Sequence, residues 1–357
     1  KMTIQTNYDM TIGAFDRAVA SETVLAKICA DTPDMIYAIA QAADRLAKEN
    51  NIAHFPVSIG WTILYDSMAH SLRPYPGLED KIETMHNLST PEAREKAARI
   101  GTNSLLHALE DMFGKGAPYE HIDVFPFLDH GHAPDRIKFM EDYLAFFSTF
   151  MTDGSLGSKD HEQNILWTKR AGDRLPGRVQ EAAYEKPGVG SKKVVESVET
   201  ATEADHHEYG KGALDFKDRT GADTIVIELG SVQEEKEVGK KAEFLGDRAS
   251  IASEYVGEGR LIVHGGSSVS DEDKGELYKY GIGGFNVWTG IVQEAAMKAN
   301  EEMMKPEIQE RITSGDSDFK DYGNIWRKLH IKYMTEGCYN VMKHLGNAKF
   351  NRNGYNT

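Results

Sequence analysis

Cysteine is scarce in this chain, whose 357 residues include only Cys29 and Cys338. A disulfide framework is therefore excluded as the source of its stability, and we expect two reduced, buried thiols. Long apolar runs are also missing, because the longest stretches, such as 143–151, fall well short of the about 20 residues that cross a bilayer. The N-terminus lacks the basic and then apolar pattern of a signal peptide, so we expect a cytoplasmic protein with no membrane partner.

Basic residues are outnumbered, and no run rich in Lys and Arg interrupts the acidity. The chain has 41 Lys and Arg against 56 Asp and Glu, a formal net charge of −15. Such a chain repels polyphosphate backbones, so we expect no nucleic-acid partner. The 40% of apolar residues is enough to build a sizeable core, which argues against general disorder.

Short β-rich runs alternate with amphipathic helical stretches, a pattern typical of a parallel sheet. We predict strands over 54–59, 122–128, 146–151, 224–229, 261–263 and 284–287. Ionisable, hydroxyl or Gly-rich residues follow most of these runs, at the ends from which a (β/α)8 TIM barrel builds its active site. The sequence therefore predicts an α/β TIM barrel. A doubly wound sheet is the alternative, but no G-x-G-x-x-G motif follows an early strand.

The predicted domain organisation is a single TIM-barrel domain over residues 1–357. A barrel of ordinary size leaves room for helical insertions, which we place at roughly 62–120 and 170–215. Within the first insertion, residues 90–113 have a helical apolar stripe. This helix is predicted to cover the site or to make a subunit contact.

Two histidines at strand ends indicate metal chemistry. Asp129-His130 follows the strand predicted over 122–128, and His264 follows the strand predicted over 261–263. Neutral imidazoles on rigid strand ends are suitable ligands for a divalent metal, and a barrel brings distant strand ends together. A carboxylate beside such a metal can move a proton, which makes Asp129 a candidate acid/base group.

The turn after His264 suggests a phosphate site. It reads Gly-Gly-Ser-Ser over 265–268, and the segment 284–289 follows it along the chain. Glycines let backbone N–H groups approach an anion, and hydroxyl groups add donors, as in the phosphate site that barrels often form after their last strands. The pattern predicts a local anion site in an otherwise acidic protein.

Taken in order, these motifs resemble those of class II, metal-dependent fructose-bisphosphate aldolases. The resemblance covers most of the chain outside the two insertions, through Ala14-Phe15, Phe127 to Gly131, Met151 to Ser155, Gly221 to Asp223, Ile227 to Ser231, Leu261 to Ser267, Phe285 to Val287 and Trp326 to Leu345. On these residues the chain is identified as a divergent member of that family.

The resemblance implies a lyase of carbohydrate metabolism, of the kind used in glycolysis, that cleaves or forms a C–C bond in a phosphorylated ketose through a dihydroxyacetone-phosphate-type enediolate. It implies zinc or another divalent metal as cofactor, a small phosphorylated sugar as substrate, and a homo-oligomer, either a dimer or a tetramer. Asp129 would be the general acid/base, with His130 and His264 as zinc ligands. The residues implied for the substrate and its phosphate are Gly230, Ser231, Gly265, Ser267, Asn286, Thr289, Asp153 and Ser155.

The third histidine of the family's metal site has no counterpart in this chain. Gln233 stands in the corresponding turn and could bind zinc through its amide oxygen, Glu234 or Glu235 could replace it, or the metal site could be lost. The family's acidic strand is represented by residues 194–199, where the spacing of the glutamates does not fix which one corresponds to the family's metal ligand; we take Glu196. His206-His207 could compensate, but we interpret them as part of a solvated loop.

Trp288 is a second departure, since it stands where the family carries an aspartate in its phosphate turn. An acidic substrate contact is thereby replaced by a bulky indole, which points to a different substrate. Two alternatives to the aldolase therefore stay open. One is a metal-dependent barrel enzyme acting on a different carbonyl substrate, and the other is a non-catalytic family member that binds a sugar phosphate.

Overall fold

Eight parallel strands close into a barrel in the computed structural model, in the order in which they occur in the sequence. The structure describes residues 4–63, 91–132, 136–155, 158–184, 201–230, 243–315 and 322–351. The strands are β1 (Leu25–Cys29), β2 (Phe55–Thr62), β3 (Ile122–His132), β4 (Thr149–Asp153), β5 (Val179–Ala183), β6 (Thr224–Val226), β7 (Leu261–Val263) and β8 (Ile282–Val287). β8 pairs with β1, where Asn286 lies opposite Lys27, and this pairing closes the ring. The predicted TIM barrel is confirmed.

Helices alternate with the strands along the described residues. They are α1 (Tyr8–Ala20), α2 (Pro33–Glu49), α3 (Pro91–Phe113), α4 (Ile137–Asp142), α5 (His161–Gly172), α6 (Glu203–Thr220), α7 (Gly246–Val256), α8 (Asp271–Glu276), α9 (Thr289–Met303), α10 (Pro306–Thr313) and α11 (Tyr322–His344). Short 3₁₀ helices lie at Gly266–Ser268, Leu277–Tyr280 and Asn347–Asn351. No described helix combines the length and the apolar composition needed to cross a membrane.

Local sequence signals explain why α2 starts where it does. Thr32 has an extended backbone, and its hydroxyl oxygen accepts a hydrogen bond from the backbone N–H of Met35 at 3.1 Å. Pro33 occupies the first helical position, where its missing N–H has no cost. Met35, Ile39 and other apolar residues on one face are fully buried. Capping and amphipathicity together therefore direct α2 onto the barrel.

The strands are buried on both faces, as expected for a parallel barrel surrounded by helices. Every residue of β1, β2, β4 and β5 is buried, including the charged Lys27 and Glu181. Burying a charge is costly unless a partner compensates it. The ionisable side chains on these strands therefore have to be arranged against one another inside the barrel.

The observed strands differ from the predicted ones at several points. β1 and β5 were not predicted, β2, β3 and β8 are longer than predicted, and β6 ends at Val226 instead of 229. β4 begins at Thr149 rather than 146, because Phe146 lies in a turn and is 49% exposed. The predicted insertion over 170–215 contains β5, an integral strand of the barrel, together with most of α6. β5 reads Val-Gln-Glu-Ala-Ala, so its polar centre concealed a buried strand in the sequence pattern.

The first predicted insertion, 62–120, contains the end of β2 and the predicted helix, which is observed as α3. Leu105 and Leu109 of α3 are buried, and the indole N–H of Trp61 on β2 donates to the hydroxyl of Thr102 on α3 at 3.1 Å. α3 is thereby fixed against the barrel. Residues 64–90 of this range lie outside the described residues.

Candidate active site

Polar side chains from six strands meet inside the barrel, at or near the carboxyl ends of those strands. They are Cys29 from β1, Asp129 and His130 from β3, Asp153 from β4, Glu181 from β5, His264 from the end of β7 and Asn286 from β8. All of them are buried. The carboxyl end of the strands is where barrel enzymes carry their active sites, so this cluster is the candidate active site.

His130 is held by its backbone and by Asp153. Its φ of 48° lies in the left-handed region, which non-glycine residues rarely adopt, at an irregularity in the pairing of β3 with β4. The ring Nδ1 lies 2.8 Å from Asp153 Oδ2. Asp153 is completely buried, and its other oxygen accepts hydrogen bonds from the backbone N–H of Ser155 at 3.0 Å and from its hydroxyl at 2.5 Å. The position and the orientation of the His130 ring are therefore both fixed.

His264 has a matching support from β5, the strand that follows the one carrying Asp153. Its Nε2 lies 3.0 Å from Glu181 Oε1, and the second oxygen of Glu181 forms an ion pair with the ammonium of Lys27 on β1. Burial tends to raise the pKa of Glu181, but the charge of Lys27 and the interactions with His264 outweigh it and lower the pKa to about 2. Glu181 is therefore an ionised carboxylate that accepts hydrogen bonds from both partners.

Asp129 lies between the two imidazoles. Its Oδ1 is 4.0 Å from His130 Nε2 and 4.0 Å from His264 Nδ1. The amide of Asn286 donates to the same oxygen at 2.9 Å, and the thiol of Cys29 lies 3.5 Å from Oδ2. Burial and the charge of Asp129 raise the pKa of the Cys29 thiol, which keeps it protonated. The carboxylate is thus oriented by neutral donors from β8 and β1.

The donor set fits a divalent cation. One ligand atom from each of Asp129, His130 and His264 lies within 4.8 Å of the other two. The opposite nitrogen of each imidazole faces a buried carboxylate, Asp153 or Glu181, which is the support that fixes tautomer and ring orientation in metal-binding histidines. Imidazole and carboxylate ligands suit zinc and related divalent ions. Asp129 and Asp153 also provide negative charge that a cation offsets, whereas the charge of Glu181 is paired with Lys27.

The electrostatics of the metal-free site show the same preference for positive charge. Burial tends to lower the pKa of His130, but the charges of Asp129 and Asp153 and the hydrogen bond to Asp153 raise it to about 9. The pKa of Asp153 is lowered, because its hydrogen bonds to His130 and Ser155 outweigh the effect of burial. A proton on His130 therefore offsets part of the carboxylate charge in the metal-free protein.

The predicted third metal ligands, Gln233 and Glu196, lie outside the described residues, as do their alternatives Glu234 and Glu235. His206 and His207 are described, but they lie on α6 and not in a loop as interpreted from the sequence. His207 Nδ1 is 3.0 Å from the hydroxyl of Tyr255 on α7. The third ligand therefore stays a prediction.

The predicted phosphate residues at the ends of β7 and β8 are adjacent in the structure. Gly265 has a φ of 65°, and the 3₁₀ turn Gly266–Ser268 follows it. Ser267 Oγ accepts a hydrogen bond from the backbone N–H of Gly290 at 2.8 Å, next to Thr289, the first residue of α9. The turn and the N-terminus of α9 thus form one polar surface of the kind that binds anions.

The other residues predicted to contact the substrate lie near the ends of β4, β6 and β8 or outside the described residues. Gly230 has a φ of 82°, and its N–H donates to the carboxylate of Glu228 at 2.8 Å; Ser231 lies outside the described residues. The side chain of Asn286 donates to Asp129, and its backbone oxygen lies beside Gly266 of the 3₁₀ turn. Asp153 and Ser155 are predicted as substrate contacts. In the structure Asp153 contacts the ring of His130, and Ser155 donates a hydrogen bond to Asp153. Asp153 therefore supports a candidate metal ligand, a role that the strand-end position alone did not reveal.

Three site residues were missed in the sequence. Glu181 was hidden in a stretch interpreted as an insertion, and Cys29 was expected only as a buried structural thiol. Lys27 had a usable signal, because it is the one charge in the apolar run 24–30, and a charge in a strand buried on both faces needs a partner.

Comparison with known proteins agrees with this geometry. The sequence profile of the family described as fructose-bisphosphate aldolase class-II matches residues 11–349. The curated protein "Uncharacterized protein YdjI" of Escherichia coli (strain K12) is 26% identical over 193 residues, which is 52% of this chain and 63% of that protein. The matched region thus spans less than two thirds of the length of that relative.

Solved structures share the fold. The crystal structure of the YdjI aldolase from Escherichia coli K12 has a TM-score of 0.60 and 19% identity, over 94% of this chain and 96% of that one. The fructose-bisphosphate aldolase (Fba) of Campylobacter jejuni has a TM-score of 0.68 and 17% identity, over 95% of each chain. Since the family profile matches nearly the whole sequence and the barrel carries the Asp-His and His-Gly-Gly motifs at its strand ends, the chain belongs to the class-II fructose-bisphosphate aldolase family.

Proposed function

We propose that the protein is a divalent-metal-dependent aldolase that cleaves or forms a C–C bond in a phosphorylated ketose, through a dihydroxyacetone-phosphate-type enediolate. The observation that carries the proposal is the arrangement around Asp129. Two imidazoles, each backed by a buried carboxylate, present their other nitrogens 4.0 Å from one carboxylate oxygen. This arrangement places an acid/base group beside two imidazoles suited to a cation, at the buried carboxyl ends of the strands.

His130 and His264 would hold the cation, zinc or another divalent ion, with a third ligand from the segment that includes Gln233. A bound divalent cation supplies a Lewis acid that stabilises negative charge developing on a substrate oxygen. The supporting observation is chemical, since the two imidazoles and the nearby carboxylates are the donors that such ions prefer.

Asp129 is proposed to transfer the proton at the aldehyde-derived hydroxyl, accepting it during cleavage and returning it during condensation. Asn286 keeps one carboxylate oxygen in place through its 2.9 Å hydrogen bond. That oxygen, Oδ1, also faces both imidazoles, which leaves Oδ2 beside the Cys29 thiol. Because the thiol stays protonated, it acts as a neutral neighbour that does not compete for the proton.

The phosphate of the substrate is proposed to bind where the 3₁₀ turn after Gly265 meets the N-terminus of α9 at Thr289. Ser267 ties these two segments together through Gly290. A helix N-terminus and a glycine turn supply backbone donors and a local positive potential, which a chain with a net charge of −15 needs in order to hold an anion.

A second candidate, a barrel enzyme of the same metal type acting on a different carbonyl substrate, is favoured by one observation. Trp288 is half-buried and packs against Cys29 and Phe127, next to Asp129. Its indole N–H is buried and has no acceptor among the described residues. A large apolar face with one available donor would recognise a substrate differently from the aspartate found in the family.

The test begins with the metal content of freshly purified protein, followed by cleavage assays on a panel of ketose phosphates with and without a chelator. The aldolase proposal expects bound divalent metal and chelator-sensitive release of a triose phosphate from at least one substrate. Metal-bound protein that cleaves none of the ketose phosphates would favour the second candidate. Protein that is folded and binds no divalent metal would contradict both.

A further inference from the structure

Lys27 is a charged residue of the barrel interior that has no role in the proposed reaction. It lies in the middle of β1, every residue of which is buried, and its side chain is 1% exposed. A lysine ammonium in a protein interior is strongly unfavourable unless a counter-charge compensates it. A residue this costly is expected to have a specific partner.

Glu181 is that partner. Its side chain is 0% exposed, and its Oε2 contacts the ammonium of Lys27. The ring of Phe127 lies 4.5 Å from the same ammonium and adds a favourable cation–π contact. A buried ion pair gains little over apolar residues of the same size, so stability alone does not explain this one.

The other oxygen of Glu181 connects the ion pair to the candidate active site. Oε1 lies 3.0 Å from His264 Nε2. An ionised carboxylate can only accept hydrogen bonds, so the His264 proton resides on Nε2. In the neutral imidazole, the form that binds a metal, the lone pair is then on Nδ1, the atom 4.0 Å from Asp129 Oδ1.

We propose that Lys27 is a positioning residue, which through Glu181 holds His264 in the tautomer whose Nδ1 lone pair faces Asp129 and the metal site. With Lys27 on one oxygen, Glu181 has one oxygen left for His264 and no freedom to turn toward the cation. The support of His130 is built differently, because the second oxygen of Asp153 accepts hydrogen bonds from the N–H and hydroxyl of Ser155, whereas the second oxygen of Glu181 contacts the ammonium of Lys27. The contact of Lys27 with Glu181 therefore bears directly on the carboxylate behind His264.

The variant Lys27→Met removes the charge and keeps an unbranched side chain that is one atom shorter. In the metal-free protein, ¹⁵N NMR of labelled histidines is expected to show that His264 is no longer a single Nε2–H tautomer. Titration with Co²⁺, followed by visible absorption, is expected to show an affinity lower by about 10–100-fold, the usual effect of losing support behind a metal-binding histidine. Circular dichroism and thermal unfolding check the fold.

Lys274→Met is the matched control. Lys274 is also a buried lysine with an acidic partner, but that partner lies on its own helix, since its ammonium is 2.6 Å from Asp271 Oδ1 on α8. This variant is expected to keep the wild-type histidine spectrum and the wild-type Co²⁺ affinity. A general effect of removing a buried charge would change both variants equally and would overturn the proposal.

If Lys27→Met does not fold, the double variant Lys27→Met/Glu181→Gln removes the uncompensated carboxylate as well. The amide of the introduced glutamine can present either a donor or an acceptor to His264 Nε2. A mixture of His264 tautomers and weaker Co²⁺ binding are therefore expected. A folded variant, single or double, that keeps the Nε2–H tautomer and binds Co²⁺ within about threefold of wild type, against the expected 10–100-fold loss, overturns the proposal.

This inference rests on the proposed metal site, but the two can fail separately. Wild-type protein that binds no Co²⁺ contradicts the proposed function. The tautomer of His264 is measured in the metal-free protein, so that measurement decides the role of Lys27 in either case.

Discussion

Replacing Asp129 by Asn is expected to abolish most of the activity while leaving the site in place. An Asn side chain has nearly the same shape, and its amide oxygen can accept the hydrogen bond that Asn286 now donates to Oδ1 at 2.9 Å. His130 and His264 keep their own carboxylate supports, which do not involve Asp129. The substitution therefore removes the proton-transfer group without removing either imidazole.

The size of the effect follows from the chemistry that is lost. An amide cannot take up a proton near neutral pH, and the Cys29 thiol beside it stays protonated because burial raises its pKa. Losing a positioned acid/base group lowers rates by roughly 10²–10⁴-fold, which corresponds to about 3–5 kcal/mol of transition-state stabilisation. We expect kcat to fall by that factor and the metal content to stay nearly unchanged.

Steady-state cleavage of the best ketose phosphate, together with elemental analysis of the same sample, checks this prediction. Asp223→Asn is a matched control, because Asp223 precedes β6 at the opposite end of the barrel, where it accepts from the hydroxyl of Tyr8 at 2.6 Å. The control is expected to keep wild-type kcat. Full activity of the Asp129 variant would remove Asp129 from the mechanism, and loss of its metal would show that Asp129 is a ligand.

Other predictions concern the metal, pH and substrate choice. His130→Ala and His264→Ala should each strip the metal, because each removes one of the two imidazole donors; stoichiometric metal in both variants would refute these ligands. In the metal-free protein the pKa of His130 is raised from 6.5 to about 9. Protonation of His130 therefore contributes of the order of 3 kcal/mol to the free energy of unfolding. This contribution is fully present below about pH 6.5 and is lost as pH rises through about 9. Thermal unfolding with a chelator should show this fall in stability, and an equally steep fall in His130→Gln would contradict it. Fructose 1,6-bisphosphate should be a poor substrate, and Trp288→Asp should raise its kcat/KM relative to that of the preferred substrate. A wild-type kcat/KM for fructose 1,6-bisphosphate above roughly 10⁴ M⁻¹s⁻¹, within the usual range for a dedicated enzyme, would show that the inference from Trp288 is wrong.

Much of the fold could be predicted from local patterns. The cap at Thr32 and the apolar face of α2 are encoded within a few residues, so the helix could be placed from the sequence alone. The strand that ends in Asp129-His130 and the strand before His264 were recognisable for the same reason, because a buried parallel strand is a short apolar run followed by a polar turn. These motifs sufficed to predict a barrel and its two histidines.

The supports of the site could not be predicted, because they depend on which strands become neighbours. Glu181 lies on β5, whose polar centre resembles a loop until Lys27, 154 positions earlier, neutralises it. The sequence predicts Asp153 as a substrate contact, and only the closed barrel shows that its carboxylate lies against His130. The sequence by itself therefore determined the barrel, the two histidines and Asp129, whose signals are local. Only the tertiary structure decided how those groups are held, since a buried charge is stable only against a partner that a distant strand supplies.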